Sequence, residues 1–199
     1  MKNTSLKEKA SHSKKECPCN CCKIPLPSNP LNLNKLINEY IKSKRKQLEK
    51  YLALYKDDKS FTSAILSKCP ICGNKCSHQW HVKENVLEDF HEKLESKIES
   101  IKKSKDFEEL YNIINSYKIK WIGPLTVYDI SLRISAKLEK LPKKMVYLHT
   151  GAKIKGYNID IIEKDCFLKP LQKLEAYEIE DFLCIYKKAL GNIRILKCT

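Results

Sequence analysis

Ile119-Lys120-Trp121-Ile122-Gly123-Pro124-Leu125-Thr126-Val127-Tyr128-Asp129-Ile130-Ser131-Leu132-Arg133-Ile134 joins a polar helical segment to a mostly apolar one through a tight Gly-Pro turn. A glycine at 123 accepts backbone angles that a Cβ resists, and a proline at 124 suits the first helical position, whose N–H has no partner in any case. Thr126 then falls in the first turn of the new helix, where its hydroxyl and the free N–H groups are expected to face outward. A helix start of this kind attracts anions, phosphate above all.

Working outward, Asp106 reads as a helix N-cap with Glu109 three residues on, a capping box. Phe107, Leu110, Tyr111, Ile113, Ile114 and Tyr117 form the apolar stripe of the helix before the hairpin, and the helix after it runs to Leu138. Asp129 and Arg133 are four residues apart on that second helix and read as an exposed pair worth about a few tenths of a kcal/mol. Val82, Val86, Leu87, Phe90, Leu94, Ile98 and Ile101 step at helical spacing, predicting one long helix upstream. Leu33, Leu36, Ile37, Tyr40, Ile41, Leu48, Tyr51, Leu52 and Tyr55 predict another, ending at Asp57-Asp58, with Lys42, Lys44, Arg45 and Lys46 clustered on it as a solvated basic face. On the other side, Val146 to Gly151 is a short extended run carrying His149, residues 156–169 read as irregular or weakly helical, and Glu178 to Leu190 predicts the last helix with Cys184 in the core.

Residues Ile119 to Val127 resemble the helix-hairpin-helix motif of DNA repair and DNA-binding proteins, whose core reads apolar, Pro, Gly, apolar, Gly, small or Pro, basic, Thr, Ala. The resemblance implies a phosphate-binding hairpin at Gly123 and Thr126, with Lys118 and Lys120 beside it. Trp121 stands where the motif has its first glycine. Leu125 stands where glycosylases with lyase activity have a lysine, and their aspartate falls near Leu148 or His149. An activity like theirs would therefore have to use His149, Asp129 or the metal site. Thr126 to Asp129, Val146 to His149 and Glu180 to Tyr186 also resemble an uncharacterised bacterial family, a likeness that implies no activity.

Cys69-Pro70-Ile71-Cys72-Gly73 has the form of a zinc knuckle, two thiols two residues apart with glycine behind the second to close the turn. Cys76, His78 and His81 follow within nine residues and would complete a tetrahedron, so a structural zinc is expected at 69–81. A [4Fe–4S] cluster is the rival, disfavoured by the two histidines. Cys17, Cys19, Cys21 and Cys22 form a second thiol cluster, packed more tightly than the usual knuckle spacing.

The formal charge of +14 over 199 residues favours an anionic partner, nucleic acid first. Among 38 basic residues only Arg45, Arg133 and Arg194 are arginine, which argues for backbone contacts rather than base reading. The absence of a run of about eighteen apolar residues argues against a membrane span. The charged start, Met1 to Lys15, lacks a signal core, so a cytoplasmic protein is expected. Its ten cysteines then suit metal or free thiols rather than disulfides.

Together these readings predict an all-α bundle of about five to seven helices. Residues 1–30 are a basic, Cys-rich tail with a proline-stiffened end, and 31–199 are a helical domain with the knuckle at 69–81 and the helix-hairpin-helix at 106–138. The expected function is sequence-tolerant DNA binding with structural zinc. The alternatives are a nucleic-acid-modifying enzyme similar to a base-excision glycosylase and a protein-interaction module.

Overall fold

The computed structural model describes residues 33–56, 60–149, 151–154, 160–190 and 195–196, with residue 77 described in its backbone alone. The basic tail, Cys17 to Cys22, the proline-rich linker and Asp57-Asp58 lie outside the described residues. Among the described residues, seven helices carry the fold. They are α1 (Leu33–Glu39, Tyr40–Lys44 and Arg45–Ala53 in continuous succession), α2 (Ser60–Ile65), α3 (Glu84–Glu95), α4 (Ile98–Lys103), α5 (Phe107–Ser116), α6 (Pro124–Leu138) and α7 (Ala176–Leu190).

The expected all-α class needs one correction, a small antiparallel sheet of β1 (Met145–Tyr147) and β2 (Ile161–Glu163). Its register pairs Met145 with Glu163, Val146 with Ile162 and Tyr147 with Ile161. The extended run before His149 is thus β1, while β2 lies in a stretch whose sequence suggests no strand. No helix among the described residues is long and apolar enough to cross a membrane.

Two apolar clusters form the interior. One is built by the C-terminal half of α1 with α2 to α6, and the other by the N-terminal half of α1 with α7, β1 and the chain around Phe167 and Leu196. An aromatic group sits where α5, α6 and β1 meet, with ring centroids 5.2 Å apart for Phe107–Tyr147, 5.3 Å for Tyr128–Tyr147 and 4.8 Å for Tyr111–Tyr147. Edge and offset contacts of this kind add about 0.5–1.5 kcal/mol each beyond area burial, which fixes the hairpin helices to the strand.

Local signals decide several boundaries. The Asp106 side chain accepts from the Glu109 N–H at 2.9 Å, so Asp106 caps α5 as its sequence predicts, while the Glu109 carboxylate accepts from the Lys105 N–H at 2.7 Å, one residue before the cap rather than from the cap itself. The long helix expected from Val82 to Ile101 is broken between α3 and α4. Ser96 and Lys97 leave the helical path there, and the Lys97 N–H donates to Leu94 O at 2.8 Å, while Leu94 and Ile101 both stay buried.

Candidate functional site

The hairpin between α5 and α6 is built from a turn that closes on the Ile122 N–H donating to Ile119 O at 3.1 Å. Trp121 is the third residue of that turn and takes φ +75°. This is the position where turns with positive φ favour glycine, because a Cβ there crowds the backbone. Gly123, by contrast, has φ −87° and ψ 170°, an extended conformation open to any residue, and a Cβ added to it would meet nothing within 4 Å. The demand for glycine therefore falls on Trp121 and not on Gly123, a correction to the sequence expectation.

Around the turn, Ile122 is buried and anchors it, whereas Lys118, Lys120 and Trp121 are exposed, Trp121 to 72%. The Lys120 ammonium lies 5.0 Å from the centre of the Trp121 ring. Pro124 opens α6 as expected, with the Val127 N–H donating to Gly123 O at 3.1 Å. Thr126 is only 6% exposed, so its hydroxyl is not presented to solvent with the free N–H groups.

About two turns further along α6, at Arg133, lies a polar centre. Arg133, 2% exposed, donates from Nε to the Tyr51 hydroxyl at 2.7 Å, from one terminal nitrogen to Ser67 Oγ at 3.2 Å and Ala64 O at 3.3 Å, and from the other to Gln79 Oε1 at 2.7 Å. Gln79 in turn donates to the Asp129 carboxylate, which lies 3.6 Å from His78 Nδ1 and 4.0 Å from the guanidinium. The pair expected to be an exposed helix contact is the centre of a network tying α6 to α1, α2 and the loop after the knuckle. Burial pushes the Asp129 carboxyl up, but His78, the Arg133 charge and Gln79 overcome this and hold it below the usual carboxylate range. Its contact with Asp129 raises His78 against the opposing effect of burial.

Residues 68–75 form a tight turn closed by glycine. Lys68 and Lys75 pair as an antiparallel bridge, the Cys69 N–H donates to Asn74 O at 2.8 Å, the Gly73 N–H donates to Cys69 O at 2.9 Å, and Gly73 has φ +70°. The other expected ligands lie elsewhere in the chemistry. Cys76 Sγ is 3.2 Å from the Tyr55 hydroxyl and accepts from Tyr51 at 3.7 Å, His78 faces Asp129, and His81 is exposed. Among the described residues, no three His, Cys, Asp or Glu side chains come together as a metal cage.

His149 is buried at 7% exposure, its ring centroid 4.6 Å from that of Tyr128, and its Nε2 has no hydrogen-bond partner among the described residues. Burial lowers it from 6.5 to about 4, so it is a neutral imidazole. The three stretches flagged by likeness, at Asp129, at His149 and at Glu180 to Tyr186, converge here. The Asp129 charge acts on Glu180, Cys184 and His149, and a Cβ added to Gly151 would lie 2.9 Å from Cys184 Sγ. Burial and then the Asp129 charge push Glu180 well up; burial raises Asp181 to about 6 even though the Tyr40 hydroxyl donates to it at 2.9 Å. Glu180 and Asp181 escape sequence reading because they sit within an ordinary amphipathic helix. Their one signal is two adjacent acids flanked by Ile179 and Phe182, both fully buried.

Comparison of the chain with family models, with curated proteins and with solved structures finds no match.

Proposed function

We propose that this chain binds duplex DNA without regard to sequence, through the hairpin between α5 and α6. The observation that carries this reading is Trp121, held at φ +75° yet 72% exposed. A left-handed conformation costs a bulky residue about 1–2 kcal/mol, and an exposed indole recovers little of that by packing. Strain of this kind persists where function uses it. Here the ring is presented for stacking or wedging at the bases, while Lys118, Lys120 and the N–H groups at Gly123 meet phosphates. The charge of +14 supplies the sequence-independent attraction.

The test is fluorescence anisotropy on unrelated duplexes of equal length at two salt concentrations. Affinities that agree across sequences and fall steeply with salt support the reading. No retention at low salt refutes it and leaves the hairpin as packing in a protein-interaction module.

A second reading, an enzyme acting on nucleic acid, is favoured by the Asp129, Glu180 and His149 grouping. Neighbouring acids whose environments drive their proton affinities apart are a general acid–base arrangement. Incubation with abasic, uracil-containing and intact duplexes tests it. Strand scission by wild type that disappears in His149→Ala, with DNA retention kept, supports the enzyme.

A further inference from the structure

We propose that Trp80 is a second base-stacking residue that works with Trp121, and that the DNA this chain prefers therefore contains unpaired bases, as in a single-stranded gap or tail. The proposal rests on the hairpin reading and extends it. The sequence holds two tryptophans, and both are left in solvent, Trp80 to 70% and Trp121 to 72%. Tryptophan carries the largest apolar side chain, and folding ordinarily covers most of it. Both interior clusters are filled by Phe, Tyr, Leu, Ile and Val without an indole, so the two rings remain available to a partner.

Trp80 is exposed on a fixed base. Its neighbour Gln79 is fully buried and bonded through backbone and side chain alike. The Gln79 N–H donates to Cys76 O at 3.1 Å, the Val82 N–H donates to Gln79 O at 3.0 Å, Gln79 Oε1 accepts from Arg133 at 2.7 Å, and Gln79 Nε2 donates to the Asp129 carboxylate. The bonds to Asp129 and Arg133 fasten the base of Trp80 to α6, the helix that begins directly after the hairpin carrying Trp121. From Gly123 to Asp129 that helix rises about 9 Å at about 1.5 Å per residue, the length of about three nucleotides of one strand at about 3.4 Å each. Both indoles thus hang from one rigid rod, and the backbone under each is ordered before binding.

The surrounding charge selects nucleic acid as the partner. No acidic residue occurs between Asp58 and Glu84 or between Glu109 and Asp129, so each indole lies in an acid-free stretch, Trp80 among Lys75, His78, His81 and Lys83 and Trp121 beside Lys118 and Lys120. The carboxylates that bound these stretches are engaged, Glu84 with Lys68 and Asp129 with Gln79 and His78. Of the basic groups near Trp80, His78, His81 and Lys83 are exposed, while the Lys75 ammonium donates to Val82 O. An exposed indole flanked by basic groups matches a base flanked by phosphates, since every base has a π-face and every nucleotide a charge. In an intact duplex the base faces cover one another and must first be prised apart, whereas unpaired bases offer them directly.

Anisotropy titrations compare an intact duplex, the same duplex with a gap of several nucleotides in one strand, and an oligothymidine. Wild type should bind the gapped duplex more tightly than the intact one. Trp80→Ala should lower affinity for the gapped duplex by roughly 5- to 150-fold, the range for one lost base–aromatic stack, and Trp80→Phe, which keeps an aromatic face, should recover much of it. In Trp121→Phe, Trp80 is the sole tryptophan, so its emission should be quenched by oligothymidine and become shielded from acrylamide. Equal affinity of wild type and Trp80→Ala for the gapped duplex, Trp80 emission indifferent to oligothymidine, or a preference for intact duplex would overturn the proposal and leave duplex binding by the hairpin standing. Absence of binding to all three DNAs would remove the hairpin reading as well and leave the two indoles as a protein-docking face.

Discussion

Trp121→Gly separates strain from binding in one substitution. Removing the left-handed Trp121 relieves about 1–2 kcal/mol in the folded state. Against this, glycine gives the unfolded chain about 0.5–1 kcal/mol more conformational freedom. The contact with the Lys120 ammonium, exposed and 5.0 Å from the ring, forfeits about 0.5 kcal/mol more. The net change in stability is near zero or a gain of about 0.5 kcal/mol, equivalent to about 1–2 °C in Tm for a chain of this size. Affinity behaves differently. If the indole stacks on or wedges between bases, its loss costs about 1–3 kcal/mol, a fall of roughly 5- to 150-fold. Trp121→Ala completes the comparison, with the same loss of affinity and a stability below that of the glycine variant by about 1 kcal/mol. The measurements are anisotropy titrations and urea midpoints on the three proteins side by side. Equal or tighter binding by Trp121→Gly would refute the reasoning and show that the ring only crowds the phosphate.

Four further outcomes are expected. Changing Lys118 and Lys120 together to Gln should weaken binding equally on unrelated duplexes and lower the salt slope by about 1–2, whereas an unchanged slope would place the phosphate contacts elsewhere. Thr126→Val should leave DNA affinity unaltered, since Thr126 is buried; a clear loss in anisotropy titrations would mean that its hydroxyl reaches the ligand. Arg133→Lys should destabilise by about 2–3 kcal/mol in urea unfolding, because a point charge cannot serve Tyr51, Ser67 and Gln79 at once, and a change under about 0.5 kcal/mol would contradict the network. The last concerns pH. His149, lowered from 6.5 to about 4 on folding, contributes stability that is present above 6.5 and lost as pH falls toward about 4. Asp181, raised from 3.8 to about 6, contributes stability present below 3.8 and lost as pH rises through about 6, so the two oppose each other in the window between. Asp181→Asn should steepen the acid loss there and His149→Phe should flatten or reverse it, and parallel urea midpoints from pH 4 to 7 in all three proteins would count against both assignments.

The hairpin helices and the cap of α5 were legible because their causes are local, an Asp and a Glu three residues apart before an apolar stripe. β2 was not, since three residues gain strand character only by pairing with β1, which lies 14 to 18 residues earlier in the register Met145 to Glu163 and Tyr147 to Ile161. The orientation of Thr126 was hidden for another reason. From Thr126 to Ala136 every residue of α6 except Asp129 is buried, so the helix has almost no outward face for a hydroxyl to occupy. The centre around Arg133 draws its acceptors from residues 54 to 82 positions away, beyond any windowed pattern. Its signal lay in composition. In a chain that uses lysine almost everywhere, the two described arginines both sit where a planar fork is needed, Arg133 in its network and Arg45 gripping both Glu178 oxygens at 2.6 and 2.9 Å.

The wide turn at Tyr40–Lys44 within α1, where the Arg45 N–H reaches back to Tyr40 O, has a consequence for how this chain tolerates change. An ordinary helix would keep Ile37, Tyr40, Leu48, Leu52 and Tyr55 in one angular row, at about 100° per residue. One extra residue in a turn rotates everything beyond it, so the first half of α1 serves the cluster around α7 and the second half the cluster around α6. Length and facing are thereby uncoupled at one point, and reading frame along the rod is set there. Removing Ser43, exposed and bonded only to Glu39 O among its described contacts, would turn the wide turn into an ordinary one and leave Leu52 and Tyr55 facing inward as they do, whereas the same deletion beyond Arg45 would swing them by about 100° toward solvent.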